Sequence, residues 1–217
     1  MPFIVKNTTL PGLFDLVSPH SCRGCGCLGT VLCKCCKNNI LMHRDKNGLN
    51  SKGKNLPPIY VVDKRNGILE RLINDYKYYS VRDLAQPLAG LINEILPKDL
   101  PKDSVVVPLP TASNHVRARG LDHTYLIAKN LSKLRNYKLR RIILRNKNTV
   151  QVGAGRTARI AQAEKAYDLN PCIPIDPEKT YVLLDDVWTT GASIKAGIKI
   201  LKKAGAQKII VALLAYS

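Results

Sequence analysis

The stretch YVLLDDVWTTGASIKAG, residues 181–197, decides the fold of this 217-residue chain. Its apolar start predicts a buried strand that ends in two adjacent aspartates, Asp185 and Asp186. Small polar residues follow, and then a segment with the apolar spacing of a helix. In open α/β sheets, ligands bind beyond the carboxyl ends of the strands. We therefore expect this strand–turn–helix unit to form a binding site.

The turn after the two aspartates has the composition of a phosphate-binding site. Amides at a helix N-terminus attract anions, nearby hydroxyls add donors, and Gly191 allows close backbone approach. Carboxylates repel phosphate, so Asp185 and Asp186 are expected to face sugar hydroxyls or Mg²⁺. One phosphate beside carboxylates that bind a diol describes a ribose 5-phosphate. The predicted phosphate-binding residues are Thr189, Thr190, Gly191, Ala192 and Ser193.

Strand-like and helix-like segments alternate along the rest of the chain. Further strands are predicted for IYVVD (59–63), SVVVPLP (104–110), LRRIILR (139–145) and KIIVALLAY (208–216). Helices are predicted for 67–96, as two helices separated near residues 79–80, for 122–134 and for 191–205. This alternation predicts an α/β fold, an open parallel sheet with helices on both faces.

Six of the seven cysteines lie in CRGCGCLGTVLCKCC, residues 22–36. In a reducing compartment such crowding favours metal binding over disulfides. Two Cys-x-x-Cys knuckles predict a closed structural zinc site with the ligands Cys22, Cys25, Cys33 and Cys36. The two leftover thiols, Cys27 and Cys35, could replace a ligand, and an iron–sulfur cluster or a redox thiol set remains an alternative to zinc.

The net charge of +18 favours polyanionic partners, although a general bias toward lysine would give the same balance. No apolar run is long enough to span a membrane, and the N-terminus lacks a secretory pattern. We expect a cytoplasmic protein, with a peripheral place at the inner face of the membrane left open. The polar stretch 43–58 predicts a boundary between an N-terminal segment, 1–55, that carries the cysteines and a main domain, 56–217.

VLLDDVWTTGAS resembles the 5-phosphoribosyl-1-pyrophosphate (PRPP) signature of type I phosphoribosyltransferases. The order of the pieces resembles the ComF family of competence-associated phosphoribosyltransferase-like proteins: a cysteine-rich start, LINDYKYYSVRDLAQPLAGLI, VVVPLP with RARGLDHTYLIAKNL, QVGAGRTARIAQAEKAY and then the signature. The resemblance runs from Cys22 to the end of the chain. It departs at residues 120–123, Gly-Leu-Asp-His, where the family usually has Gly-Phe-Asn-Gln.

The resemblance implies a type I phosphoribosyltransferase fold and roles for individual residues. Asp185 and Asp186 would hold the ribose hydroxyls, directly or through Mg²⁺, and stabilise positive charge at the anomeric carbon. Residues 189–193 would hold the 5′-phosphate. The residues implied to bind pyrophosphate are Lys77, Arg117, Arg119, Arg156 and Arg159.

The implied activity is pentosyl transfer from PRPP with Mg²⁺ to an acceptor that the sequence does not identify. The resemblance also implies a link to natural transformation, with single-stranded DNA and other competence proteins as partners. The alternative is a non-catalytic single-stranded-DNA-binding factor with a residual PRPP or nucleotide site. The basic run 133–148 supports that alternative, with Tyr137 as a candidate for base stacking.

Overall fold

The computed structural model describes residues 20–44, 56–79, 81–111, 122–146 and 166–217. Its centre is a five-stranded sheet in which every neighbouring pair is parallel, in the order β1-β7-β6-β2-β3. The strands are β1 (Ile59–Lys64), β2 (Val105–Pro108), β3 (Lys138–Leu139), β6 (Thr180–Trp188) and β7 (Lys208–Tyr216). Two further strands, β4 (Ile143–Arg145) and β5 (Tyr167–Leu169), form a separate antiparallel pair.

The described helices cover both faces of the sheet. They are α1 (Lys34–Met42), α2 (Gly67–Tyr78), α3 (Ala85–Ile95), α4 (His123–Arg135) and α5 (Ala192–Lys203). A single 3₁₀ turn, Arg82–Leu84, leads into α3. The α/β fold with a parallel sheet flanked by helices is therefore confirmed.

Side chains that alternate along the strands divide the interior into two cores. Val182 and Leu184 of β6 point to one face, where α2, α3 and α4 pack. Tyr181 and Leu183 point to the other face, where α5 and the β4–β5 pair pack. Val31 from the cysteine-rich segment is buried in the first of these cores. The predicted boundary between residues 55 and 56 stays a prediction.

The segment predicted as one strand over 139–145 is wrong as a single element. Leu139 ends β3 in the main sheet, and Ile143 begins β4 in the antiparallel pair. Arg140 and Arg141 are exposed between the two strands. Because Ile142 and Ile143 are both buried, the chain bends here to cover the second face of the sheet.

Tyr137 is buried in the first core and only 9% exposed, and its hydroxyl donates to the Leu100 carbonyl oxygen at 3.5 Å. The expectation that this ring stacks on a base is therefore wrong. Among the described residues, no helix combines the length and apolar character needed to cross a membrane.

Candidate functional site

The two aspartates lie near the carboxyl end of β6 rather than after it, because the strand continues to Trp188. Asp186 forms an ion pair with Lys77, with 2.6 Å between Oδ2 and Nζ, and both side chains are 17% exposed. Lys77 lies in the last turn of α2. The structure therefore brings together Asp185, Asp186 and Lys77, three residues singled out from the sequence.

The neighbouring carboxylates serve opposite faces of the sheet. Consecutive side chains on a strand point in opposite directions. Asp186 meets Lys77 of α2 on the first face. Asp185 experiences the charge of Arg145, which ends β4 on the second face. The acid pair therefore faces both layers, with α2 on one face of the sheet and β4 on the other.

Burial and the charge of Asp186 raise the pKa of Asp185 to about 8. The Asp186 amide, which donates to Asp185 Oδ1 at 2.9 Å, and the positive charges of Lys77 and Arg145 oppose this rise only in part. Two carboxylates held in this way are stabilised by any added cation or hydroxyl donor. The donor set and its charge therefore fit a sugar diol or Mg²⁺.

The turn after β6 is shaped by contact between Trp188 and Gly191. Gly191 caps α5 with φ +73°, and a Cβ placed there would lie 2.2 Å from Trp188 Cζ2. The indole is 4% exposed. The backbone of this turn can therefore follow its path only with glycine at residue 191.

The same turn presents the N-terminus of α5. Thr190 Oγ1 accepts a hydrogen bond from the Ala192 amide at 3.4 Å, and Thr189 is exposed. The amides of a first helical turn have no acceptor within the helix and attract anions. Residues 189–193 thus lead into a helix within a few residues of the acid pair, with Thr189 exposed, Thr190 and Ser193 half-buried, and Gly191 and Ala192 buried.

The end of α2 that carries Lys77 is anchored by its neighbour in sequence, Tyr76. The Tyr76 hydroxyl donates to the His123 carbonyl oxygen at 2.9 Å, and the two rings meet edge to face at 4.7 Å. His123 is buried at the start of α4. Asp122 accepts from the Tyr125 amide at 3.1 Å and caps the same helix. Asp122 and His123, which depart from the family pattern, therefore have structural contacts here.

The cysteine cluster forms a compact group of thiols that could hold a zinc ion. The sulfurs of Cys22, Cys25, Cys27 and Cys33 all lie within 4.8 Å of one another. Burial opposes ionisation of Cys22, but amides that include those of Cys33 and Gly24 lower its pKa to about 6. Backbone donors of this kind stabilise thiolates and favour metal binding.

Cys36 lies beside this group, although the sequence assigned it as the fourth ligand. Burial and contacts with the Cys25, Cys33 and Cys22 thiols raise the pKa of Cys36. A Cβ on Gly24 would lie 2.5 Å from Cys36 Sγ, so glycine is needed at that point. Contacts with Cys25 and Cys33 also raise the pKa of Cys27, to about 12. The geometry favours Cys27 in the position that the sequence assigned to Cys36.

The cysteine cluster packs against the helix that presents Lys77. Arg71 of α2 donates from Nη1 to the Gly24 carbonyl oxygen at 3.1 Å. Arg23 Nε lies 3.9 Å from Asp75 Oδ2, two residues before Lys77. The loop that would surround a metal is therefore bonded to the helix that reaches the acid pair.

Four of the residues proposed for pyrophosphate lie outside the described residues: Arg117, Arg119, Arg156 and Arg159.

The site also contains two residues that the sequence analysis missed, Arg145 and Tyr167. Arg145 Nη1 donates to the Tyr167 hydroxyl at 2.9 Å, and burial and the Asp185 charge raise the Tyr167 pKa, whereas Ser193 and Arg145 oppose the rise. The only sequence signal was the basic end of a predicted strand.

Comparison with known proteins finds matches among solved structures. No protein-family model matches the chain, and no curated protein matches it. The chain is similar to a structure of the allosteric regulatory enzyme of purine biosynthesis, with 14% identity over 64% of this chain and 29% of that one, at a TM-score of 0.43. It is also similar to purine phosphoribosyltransferase from Pyrococcus horikoshii Ot3, with 21% identity over 64% of this chain and 75% of that one, at a TM-score of 0.36.

Proposed function

We propose that the end of β6 and the start of α5 bind PRPP, and that the protein transfers its phosphoribosyl group to an acceptor. The observation that carries this proposal is the half-buried cluster of Asp185, Asp186 and Lys77, in which the two acids precede the start of α5 by only a few residues. Acids for a diol, a helix N-terminus for one phosphate and a cation for a leaving group are the groups that PRPP requires.

Each residue has a distinct task in this reaction. Residues 189–193 hold the 5′-phosphate, and Asp185 and Asp186 hold the ribose hydroxyls. Asp185 and Asp186 would also hold Mg²⁺, which would supply positive charge to the departing pyrophosphate. The bond between the anomeric carbon and pyrophosphate breaks and a bond to the acceptor forms. The carboxylates stabilise the positive charge that develops on the sugar.

Lys77 is suited to the departing pyrophosphate because it already lies at the acids. When the ligand's hydroxyls bind the carboxylates, the Lys77 ammonium group can turn from Asp186 toward the ligand's phosphate oxygens. Charged hydrogen bonds of this kind are about twice as strong as neutral ones. The chain's resemblance to the ComF family extends the proposal to a role in DNA uptake during natural competence, with other competence proteins as partners.

Calorimetric titration of PRPP with Mg²⁺ tests the site. We expect micromolar binding to the wild type and a loss of at least about tenfold in affinity in Asp186→Asn, because a charged acceptor for the diol is removed. Asp103→Asn is the matched control, because it removes one negative charge from an exposed turn. Equal affinity in all three proteins, or no binding to the wild type, would contradict the proposal.

A second candidate function, non-catalytic binding of single-stranded DNA, is favoured by one specific observation. Exposed cations lie in the last turn of α4, in the edge strand β3 and directly after it: Lys133, Lys138, Arg140 and Arg141. Cations along a sheet edge also discourage edge-to-edge association. Under this alternative, DNA affinity falls steeply with salt and survives Asp186→Asn. Loss of PRPP binding without loss of DNA binding in that variant would show that the two ligands use different surfaces.

A further inference from the structure

A second concave site lies between α5 and β5. Its volume is about 440 Å³, which is in the range of pockets that hold small organic molecules. Its walls combine an apolar floor with charged residues. The lining residues are Tyr167, Asp168, Leu169, Ala196, Lys199, Ile200, Lys203 and Ala204.

The apolar floor of this cavity is partly open to solvent. Leu169 is 40% exposed although it belongs to a strand, and Ile200 is only half-buried. Small side chains, Ala196 and Ala204, leave space between α5 and β5. An apolar concave surface of this kind lowers its free energy by covering itself with an apolar or aromatic group.

The charged residues that line the cavity favour a negatively charged ligand. Lys199 and Lys203 are four residues apart on α5, so they share one face of the helix and both line the cavity. Asp168 is the acidic residue in the lining, so the lysines outnumber the acids. Lys203 lies in the last turn of α5, where a lysine also interacts with the carbonyl end of the helix.

One side chain joins this cavity to the site at the acids. Tyr167 lines the cavity, and its hydroxyl accepts a hydrogen bond from Arg145, whose charge acts on Asp185. We infer that the cavity between α5 and β5 binds a small organic anion, an aromatic or apolar body that carries one phosphate or carboxylate group. Such a ligand would contact the Tyr167 ring, while the Tyr167 hydroxyl is bonded to Arg145, whose charge acts on Asp185.

The probe for this site is 1-naphthyl phosphate, which has one aromatic body and one phosphate, and binding is measured by calorimetry. The double variant Lys199→Ala, Lys203→Ala is expected to bind at least about tenfold more weakly than the wild type, because two charged contacts are lost. The matched control is Lys195→Ala, Lys202→Ala, which removes the same charge from exposed positions of the same helix outside the cavity lining. Its affinity should stay within about twofold of the wild type.

Three results would overturn the inference. Equal loss in both double variants would mean that the anion is attracted by net charge alone. Displacement of the probe by an excess of ribose 5-phosphate would place it at residues 189–193 instead. Inorganic phosphate that competes as well as the whole probe would show that the apolar floor adds nothing.

A second variant keeps the inference testable if the lysine double variant fails to fold. Leu169→Asp adds a negative charge to the partly exposed floor, where a polar side chain remains in contact with solvent. We expect this variant to bind the probe at least about tenfold more weakly, because the added carboxylate repels the phosphate and an apolar contact is lost. Unchanged affinity in a Leu169→Asp protein with a normal unfolding transition would overturn the inference.

Discussion

The cysteine cluster and the acid pair both crowd ionisable groups together, but the backbone supports one member of the first more strongly than any member of the second. At the cysteines, neighbouring thiols raise the pKa of Cys27, but backbone amides lower the pKa of Cys22 to about 6, so the Cys22 anion is stabilised before any metal arrives. At the acids, burial and a like charge raise the pKa of Asp185 to about 8, so the anion is destabilised. The first arrangement suits a permanent structural ion, and the second suits a ligand that binds and leaves.

The largest loss of stability should come from replacing Cys22, the thiol whose anion is stabilised by backbone amides. Cys22→Ser removes a buried sulfur that accepts from the Gly24 and Cys33 amides. We expect zinc content to fall to near zero and the free energy of unfolding to fall by about 4 kcal/mol or more, because structural zinc contributes folding energy. Metal analysis and denaturant unfolding measure both. Cys172→Ser, at an exposed thiol, is the control and should change neither.

The same assay identifies the fourth thiol. With Cys27 in the set, Cys27→Ser loses zinc affinity while Cys36→Ser keeps one zinc per chain. The reverse result would restore the ligands assigned from the Cys-x-x-Cys spacing. A wild-type protein that binds no zinc after growth with the metal would remove the cysteine side of the comparison altogether.

At the acid site, the next largest effect should come from Gly191→Ala. The added methyl group must avoid Trp188 while the backbone leaves φ +73°, so we expect a loss of about 3 kcal/mol in stability and a loss of phosphate binding. Denaturant unfolding and PRPP titration measure the two effects. The control is Gly90→Ala in α3, where a Cβ meets nothing within 4 Å and helix propensity predicts a gain of up to about 1 kcal/mol. Equal stability of the two variants would contradict the close contact.

The raised pKa of Asp185 predicts a pH-dependent gain in stability in Asp185→Asn. Between about pH 4 and pH 8 the folded wild type retains a proton that the unfolded chain has released, so its stability falls as pH rises. The variant has no such proton and avoids this loss. We expect no difference near pH 4 and a gain of about 2 kcal/mol or more at pH 9.

Denaturant unfolding of Asp185→Asn at several pH values measures this gain. Asp103→Asn, which removes a negative charge from an exposed turn, is the control for the change in charge alone. A variant that is destabilised at high pH would mean that the Asp185 charge is already well compensated in the free protein.

The smallest effect should come from the ion pair that ties α1 to α3. Lys37 Nζ lies 2.7 Å from Glu94 Oε1, and this contact lowers the Glu94 pKa. Since both side chains are about a third exposed or more, Glu94→Gln should cost less than about 1 kcal/mol. This contribution is present above the ordinary pKa of glutamate and is lost as pH falls through the lowered value. Unfolding at pH 7 and pH 3 measures it, and Glu178→Gln, at a more exposed pair, should show no change.

Local patterns were enough to predict the parallel sheet, its flanking helices and the unit formed by β6 and α5. Each of these elements shows its own periodicity, and Asp185, Asp186 and Gly191 are neighbours in the chain. Lys77 was indicated only by family resemblance, because nothing local connects α2 with β6. Arg145 was missed because it reaches the site through β4, and the bend at Arg140 and Arg141 depends on burial of Ile142 and Ile143 against α5.

The choice of the fourth thiol in the cysteine cluster also could not be predicted from local sequence patterns. Cys-x-x-Cys spacing treats the two knuckles as equivalent, and it therefore favours Cys36. In the structure Cys36 lies in α1, where the core restricts it, while Cys27 follows a glycine with φ +80° that turns it toward Cys25 and Cys33. Backbone geometry at one glycine, rather than spacing, decides which sulfur joins the group.

The opposite orientations of Asp185 and Asp186 have a consequence for folding cooperativity. The two cores are separated by the sheet, and each belongs to a different layer of helices. A ligand that contacts both carboxylates adds a link between α2 on one face of the sheet and the β4–β5 pair on the other. Binding energy at this point is therefore shared by both layers, and local opening of either layer requires release of the ligand.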